Sequence, residues 1–422
     1  MPKDKDNHMN RRLRVLLSVF TASPYQGSEP GVGWGRVYET AKLFDTWVIC
    51  CKEEEDIKQW FSENEKIDNL YFSFLPLSRH ELFLEKTPGL VFISYHLWQR
   101  RAFRLAVKLH QKYDFDLVHQ VNYGTFREPG YLWKLDCPFV WGPVGGMENY
   151  PWRFLAKAGL KGFVTESIRG ILNILQLRAH IRVRKAAKKA AVVLTVNYLG
   201  KQFFKKVFNV TTLHMLDLGT DTIHSAQNIR REDGPLRILW SASLLHRKAL
   251  HLLIEAISQL PDSFPVIVRI MGKGPLEGRW QQLSRKLGVE QYIQFLPWLD
   301  LDEVKNQYKW ADIFVFTSLR DASGSTVLEA LSYGLPVVCF DHQGVADIVT
   351  QQCGIKITLT TPRETIASLR KTIIELSQNR QKLIELSAGA LQRAKEFLWL
   401  HKGEQTAELY FSILNNDALK KN

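Results

Sequence analysis

Short, continuously apolar runs alternate along this chain with longer stretches whose apolar positions recur at helical spacing. The runs fall into two groups. The first reads LRVLLSVF (13–20), TWVICC (46–51), LYFSFLPL (70–77), FDLVHQVN (115–122), PFVWGPV (138–144), AVVLTVN (191–197) and TLHMLDLG (212–219). The second reads LRILWSAS (236–243), FPVIVRIMG (264–272), QYIQFLPW (291–298), ADIFVFTS (311–318), PVVCFD (336–341) and GIKIT (354–358). A strand with one wet face alternates apolar and polar residues. These runs do not, so they are predicted to be buried on both faces, as in parallel sheets covered by helices. Alternation of strands with helices predicts βαβ units. The polar stretch 221–235 (DTIHSAQNIRREDGP) separates the groups and has the composition of a linker. The expected fold is therefore α/β: two Rossmann-like, doubly wound domains, residues 1–218 and 219–399, facing a cleft. Helical periodicity over 363–414 follows the last strand, and a final helix over about 400–422 is expected to pack back on the first domain. Ligands of such sheets bind at the carboxyl ends of the strands.

Length and charge sharpen this picture. At 422 residues the chain exceeds what one hydrophobic core usually supports. No run approaches the roughly 20 apolar residues of a spanning helix. The opening MPKDKDNHMNRRLR lacks the apolar core of a signal peptide, so a cytoplasmic protein is expected. Cys50, Cys51, Cys137, Cys339 and Cys353 are scattered without metal-ligand spacing and read as free thiols. The net charge of +13 is concentrated. Residues 151–210 carry 13 Lys and Arg against the single acid Glu166, while the rest of the chain is nearly neutral. Within that segment, residues 153–189 mix cations with Phe, Leu and Ile, as a basic amphipathic helix or helix pair would. An anionic membrane surface is the expected partner, at the inner face of the membrane, against the alternative of a solvated helix face. Nucleic acid is not expected, since no zinc-finger, RNP or helix-turn-helix pattern accompanies the charge.

The richest polar chemistry follows the run ADIFVFTS. A small-residue loop leads from Asp321 to Gly324, and a helix is predicted to open at Ser325 and Thr326, with Gly334 and Pro336 as stop signals. The amides and dipole of a helix N-terminus suit a diphosphate. Glu329, one turn into the helix, can accept hydrogen bonds from two vicinal ribose hydroxyls. The plainer reading is a capped core helix with Glu329 in solvent.

The spacing Asp321-x7-Glu329, followed by Gly334-Leu-Pro-Val-Val and Gly344-Val-Ala-Asp347, resembles the nucleotide-sugar transferases of glycosyltransferase family 4. That resemblance implies the two-domain architecture called GT-B, a transferase of the hexosyltransferase type, retention at the anomeric carbon and a nucleotide-sugar substrate without a required metal or other cofactor. It makes Glu329 the ribose ligand and Asp321 a contact of the donor sugar, in a position where the family usually has Glu. After LRILWSAS the family places an Arg and a Lys on the donor diphosphate. Here Lys248 matches, the Arg position is Ser243, and the neighbouring Arg247 is the substitute. Gly272 and Gly274 in MGKGP match a further family segment, and Trp298 with Leu299 match the segment beside the nucleotide base. In the first domain, Gly27-x3-Gly31-x-Gly33-x-Gly35 looks like the family's glycine loop beside the sugar and phosphate, and it is not the dinucleotide fingerprint. Glu29, Asn122, Gly145 and Gly146 are expected on the acceptor side. His119 is expected to touch the sugar or acceptor, against the alternative of a satisfied strand-end histidine. Asp114-x-Asp116 and Asp300-x-Asp302 resemble metal motifs but read as turn and cap residues. The acceptor stays open among a glycan, a lipid-linked sugar and a small molecule. A sugar-nucleotide-binding pseudo-enzyme and a GT-B epimerase are the alternatives to transfer.

Overall fold

A computed structural model describes residues 11–87, 89–224 and 234–420. Residues 1–10 of the polar opening, the greater part of the 221–235 stretch and the last two residues lie outside the described residues.

The first half folds as β1 (Arg14–Thr21), α1 (Ser28–Leu43), β2 (Asp45–Lys52), α2 (Glu54–Glu63), β3 (Leu70–Phe74), α3 (Arg79–Lys86), α4 (Val91–Tyr113), β4 (Leu117–Gln120), β5 (Phe139–Val144), α5 (Gly159–Ala179), α6 (Ile181–Lys189), β6 (Val192–Thr195), α7 (Tyr198–Phe208) and β7 (Leu213–His214). The second half folds as β8 (Leu236–Ser241), α8 (Leu250–Ile257), β9 (Val266–Met271), α9 (Glu277–Lys286), β10 (Ile293–Phe295), α10 (Leu301–Trp310), β11 (Ile313–Phe316), α11 (Ser325–Ser332), β12 (Val337–Phe340), α12 (Gln343–Ile348), β13 (Gly354–Ile357), α13 (Pro362–Gln378), α14 (Arg380–Lys395) and α15 (Trp399–Lys420).

The strands form two sheets, ordered β3-β2-β1-β4-β5-β6-β7 and β10-β9-β8-β11-β12-β13, with every pairing parallel. The central strands are buried along their length because helices cover both faces, whereas the edge strands β3 and β10 are only partly buried. Leu16, Ile49, Val118 and Trp141 pack on one face of the first sheet, and Val15, Leu17, Val48 and Val140 on the other. Both sheets reverse their order beside the central strand, between β1 and β4 and between β8 and β11. Those switch points put the loops after β1, β8 and β11 in the cleft.

Two details differ from the pattern-based reading, and the return of the last helix to the first domain agrees with it. The run 212–219 gives only a two-residue strand. Its remaining apolar residues are there for another reason: Leu216 and Leu218 pack into the second half's core, with Val32 and Trp399. Tyr150, Phe154 and Ala158 also bury in the core of the second half, although they lie well ahead of the 221–235 linker in sequence. Conversely, Ala407, Tyr410 and Ile413 of α15 close the first sheet's core against α1. Trp399 anchors this return. A side chain at Gly35 or Gly219 would stand 2.3 or 2.5 Å from its ring, so glycine is required at both positions.

The basic segment is a helix pair, α5 and α6, preceded by a 3₁₀ turn over Trp152–Ala158. Its lone acid does not face water. Glu166 accepts two 2.9 Å hydrogen bonds from Arg320 and pairs with His246 at 2.7 Å, both from the second half. Burial alone would raise its pKa, but the bonds from His246 and Arg320 overcome this and bring it down to about 2. Lys157 pairs with Glu255 at 2.7 Å, also across the halves. No helix among the described residues is long and apolar enough to cross a membrane.

Candidate active site

Two adjoining cavities of about 330 Å³ each lie in the cleft and share Ser28, Val32, Leu218 and Ser325. The first is walled by the loops after β8 and β11, with Glu29, Gly145 and Asp217 opposite. The second runs from Gly31 and Trp34 to Glu329 and Trp399.

The two second-half loops are stitched together before any ligand is considered. Thr317 donates its hydroxyl to the Lys248 carbonyl at 2.8 Å, and the Leu319 amide bonds the Arg247 carbonyl at 2.8 Å. This sets Lys248 and Arg247 beside Asp321. Lys248 Nζ pairs directly with Asp321 Oδ2, and Arg247 Nη1 stands 3.6 Å from the same oxygen. Burial lowers the Lys248 pKa, and Asp321 pulls it back up. Asp321 Oδ1 makes no hydrogen bond among the described residues. Two cations thus share one carboxylate, which leaves a net positive cluster beneath the N-terminus of α11. That helix opens at Ser325, after Gly324 in left-handed backbone (φ +83°). Gly324, Ser325 and Thr326 all line the first cavity. The arrangement can hold a diphosphate by cations and by helix amides together.

Glu329 lines the second cavity and accepts a 2.8 Å hydrogen bond from the Tyr308 hydroxyl. Enclosure raises its carboxyl pKa, and the tyrosine bond offsets part of that. On the opposite wall, burial and then the charge of Asp217 push the Glu29 carboxyl up to about 7. Burial also raises the pKa of Asp217, whose Oδ1 is buried without a hydrogen bond.

Other expected site residues lie elsewhere. His119 does not reach the cleft. It is fully buried, its Nε2 meets the Gly142 carbonyl at 2.6 Å, and its Nδ1 meets the Tyr410 hydroxyl. Burial, reinforced by the nearby Arg36, takes its pKa down to about 3. It is a satisfied strand-end histidine, and its partner comes from α15. Asn122 is also corrected: its side chain accepts from the Phe20 amide at 2.7 Å and donates to the Thr21 and Glu29 carbonyls. It ties down the glycine loop, with both of its N–H donors engaged by backbone carbonyls. Gly33 faces β1, where a side chain would meet the Thr21 carbonyl at 2.0 Å, whereas Gly31 does line the second cavity. Gly272 and Gly274 line neither cleft cavity. They let their loop pack on the Ala242 and Leu244 carbonyls, 2.1 and 2.7 Å from where a side chain would begin, and so buttress the Lys248 loop from behind. Gly145 lines the first cavity, but Gly146 lies under Arg127, whose Nη1 donates to its carbonyl at 3.1 Å. Trp298 is 82% exposed on the loop after β10, and Leu299 packs on the core; neither borders the cavities.

Asp217 and Ser323 were not singled out from sequence. Asp217 sits inside an apolar run, and a lone acid there was the available signal. Asp116 bonds the Arg14 amide, and Asp300 caps α10 through Glu303. Among the described residues no three His, Cys, Asp or Glu side chains converge on a metal position.

A family model described as "Glycosyl transferases group 1" matches residues 221–393. The D-inositol 3-phosphate glycosyltransferase of Streptomyces bingchenggensis is 27% identical over 183 residues, 41% of this chain and 39% of that protein. In eight of the curated relatives the aligned stretches cover between 31% and 49% of their own lengths, so the chain spans less than half of each. Among solved structures, sucrose-phosphate synthase from Thermosynechococcus elongatus superposes with a TM-score of 0.67 at 15% identity, covering 96% of this chain and 100% of that one. HepE of Anabaena, solved with UDP, superposes with a TM-score of 0.61 at 16% identity over 95% of this chain and 100% of that one. The fold is GT-B, and residues 221–393, within the second half, resemble the glycosyl transferases group 1.

Proposed function

We propose that this chain is a glycosyltransferase that moves a sugar from a nucleoside-diphosphate sugar to an acceptor held by the first domain. The convergence of Lys248, Arg247, Asp321 and the α11 N-terminus on one cavity, with Glu329 on the next, carries the reading. HepE was solved with UDP and with UDP-glucose, which favours a uridine nucleotide. In this reading Glu329 exchanges its Tyr308 bond for the ribose hydroxyls. The diphosphate lies over Ser325 and Thr326, and Asp321 Oδ1 accepts from the sugar. As the bond from C1 to the phosphate oxygen breaks, charge grows on that oxygen. Lys248, Arg247 and the helix amides stabilise it there, without a metal. The acceptor oxygen bonds to C1 on the face the phosphate leaves, giving retention, and its proton passes to the departing diphosphate. The cations and exposed apolar residues of 153–189 would bring the acceptor side to an anionic membrane on the cytoplasmic side, in polysaccharide or glycolipid synthesis.

A thermal-shift screen of UDP-, GDP- and ADP-sugars in excess EDTA tests the donor site. Selective stabilisation by one nucleotide, reduced in Glu329→Gln, is expected. An equal shift in Glu329→Gln, or stabilisation only when a divalent cation is restored, refutes the corresponding role.

A further inference from the structure

A third cavity of about 830 Å³ lies outside the cleft, between the N-terminal turn of α4 and one side of α5. Its wall is apolar: Phe92, Ile93, Val164 and Ile168 line it and are each about half exposed. Its polar side is net cationic: Arg127, Arg169, Arg182 and Arg320 line it against one carboxylate, Glu128, which Arg182 pairs at 2.6 Å. These guanidiniums are unequally neutralised. Arg320 is held by Glu166, but neither Arg127 nor Arg169 has a carboxylate partner among the described residues. Arg127 is held by neutral acceptors only, Gln176, Asn173 and the Gly146 carbonyl. Arg169 makes no hydrogen bond among the described residues, and its Nε is buried. Burial and then Arg169 lower the Arg127 pKa to about 10. Glu148 and Glu166 act on these cations only at a distance, without an ion pair among the described residues, and half-buried cations so left are costly unless an anion joins them.

The cavity abuts the donor site. Arg320 lines it, and the next residue, Asp321, lines the first cleft cavity. Arg127 rests on Gly146, and the preceding Gly145 faces that same cleft. We propose that the cavity between α4 and α5 holds the acceptor, a phosphate ester of a long-chain lipid, with its phosphate on Arg127 and Arg169 and its hydrocarbon along Phe92, Ile93 and Ile168. This rests on reading the cleft as a sugar-transfer site. It goes further by fixing the acceptor's chemical class: a group beyond the phosphate would project past Arg320 toward Asp321. Charge complementarity selects this occupant. A free phosphate leaves the apolar wall wet, and an uncharged lipid leaves the arginines unpaired.

Calorimetric titration of the full chain with farnesyl phosphate, farnesol and inorganic phosphate tests this. Farnesyl phosphate is expected to bind at least about tenfold more tightly than either of the others. Arg169→Ala and Ile168→Asp are each expected to weaken it by about tenfold or more, while the thermal shift given by the nucleotide-sugar persists in both variants. That persistence shows both variants to be folded. Farnesyl phosphate binding no better than inorganic phosphate, no better than farnesol, or equally well to both variants overturns the proposal. Failure of every nucleotide-sugar to bind, with farnesyl phosphate behaving as expected, removes the transfer reading and leaves the amphiphile site standing.

Discussion

Glu166 is the acid that the basic segment spends on holding the two halves together, and its removal has a calculable cost. Its carboxylate is 4% exposed and serves Arg320 twice and His246 once. A carboxyl that titrates near 2, against an ordinary 4.5, contributes about 3 kcal/mol at neutral pH. The folded value is depressed, so this stability is fully present above pH 4.5 and is lost as the pH falls toward 2. Glu166→Gln keeps the shape and removes the charge. It is expected to cost about 3 kcal/mol at pH 7, near the low end for breaking a buried ion pair. The assay is guanidinium unfolding of both proteins at half-unit steps from pH 7 to pH 2.5, followed by tryptophan fluorescence. The wild type should lose its advantage progressively below pH 4.5, and the two curves should converge toward pH 2. A gap that stays constant over that range would show that packing or geometry, and not the ionised carboxylate, accounts for the effect. No gap at pH 7 would show that water reaches the cluster and replaces the bonds.

Lys248→Ala should lower kcat on the nucleotide-sugar by about 10²–10³-fold, the usual cost of losing one group that stabilises developing charge; a steady-state assay retaining full kcat refutes it. His119→Phe should destabilise the fold by about 1–3 kcal/mol by leaving the Tyr410 hydroxyl and Gly142 carbonyl unpaired, while the folded fraction keeps its kcat; a selective loss of kcat would restore His119 to the site. Glu29 has a raised folded-state pKa, so its contribution favours the fold below pH 4.5 and fades as pH rises through about 7. Glu29→Gln should therefore gain thermal stability over wild type at pH 8 but not at pH 4, and equal midpoints at both values would contradict the burial argument. Gly145→Val should raise KM for the donor, because its Cβ would stand 2.9 Å from Val196 and 3.3 Å from Ala322 across the cleft; an unchanged KM would mean the halves open freely.

The architecture was legible because burial on both faces leaves an unbroken apolar run, and both sheets grew from such runs. What misled was reading every apolar residue as sheet. Leu216 and Leu218 are apolar because a domain interface covers them, and sequence pattern does not distinguish an interface from a strand. The second-half cluster was legible because Lys248, Asp321, Ser325 and Glu329 sit at fixed offsets from strand ends, where local spacing fixes position. His119 and Asn122 were misplaced because their partners are distant: Tyr410 lies at the far end of the chain, and the glycine loop that Asn122 binds belongs to another strand. Glycines were recognised as close approaches, but what approached them was not readable; at Gly33, Gly272 and Gly274 it is the protein's own backbone. Of Arg127, Arg169 and Arg320 beside α5, only Arg169 belongs to the charge-rich segment, and Arg127 and Arg320 join it through packing that sequence pattern does not show.

The return of α15 to the first sheet bears on how the protein is made. The core closed by Tyr410 lies against α1, which leaves the ribosome when little more than a tenth of the polypeptide exists. At roughly 5–20 residues per second, the face of α1 that Tyr410 and Ile413 will cover stays bare for some tens of seconds. Vectorial synthesis therefore leaves the first sheet's core open until the last helix has emerged. A ribosome-bound chain that ends before Trp399 should leave this face of α1 open to limited proteolysis, and full-length release should close it.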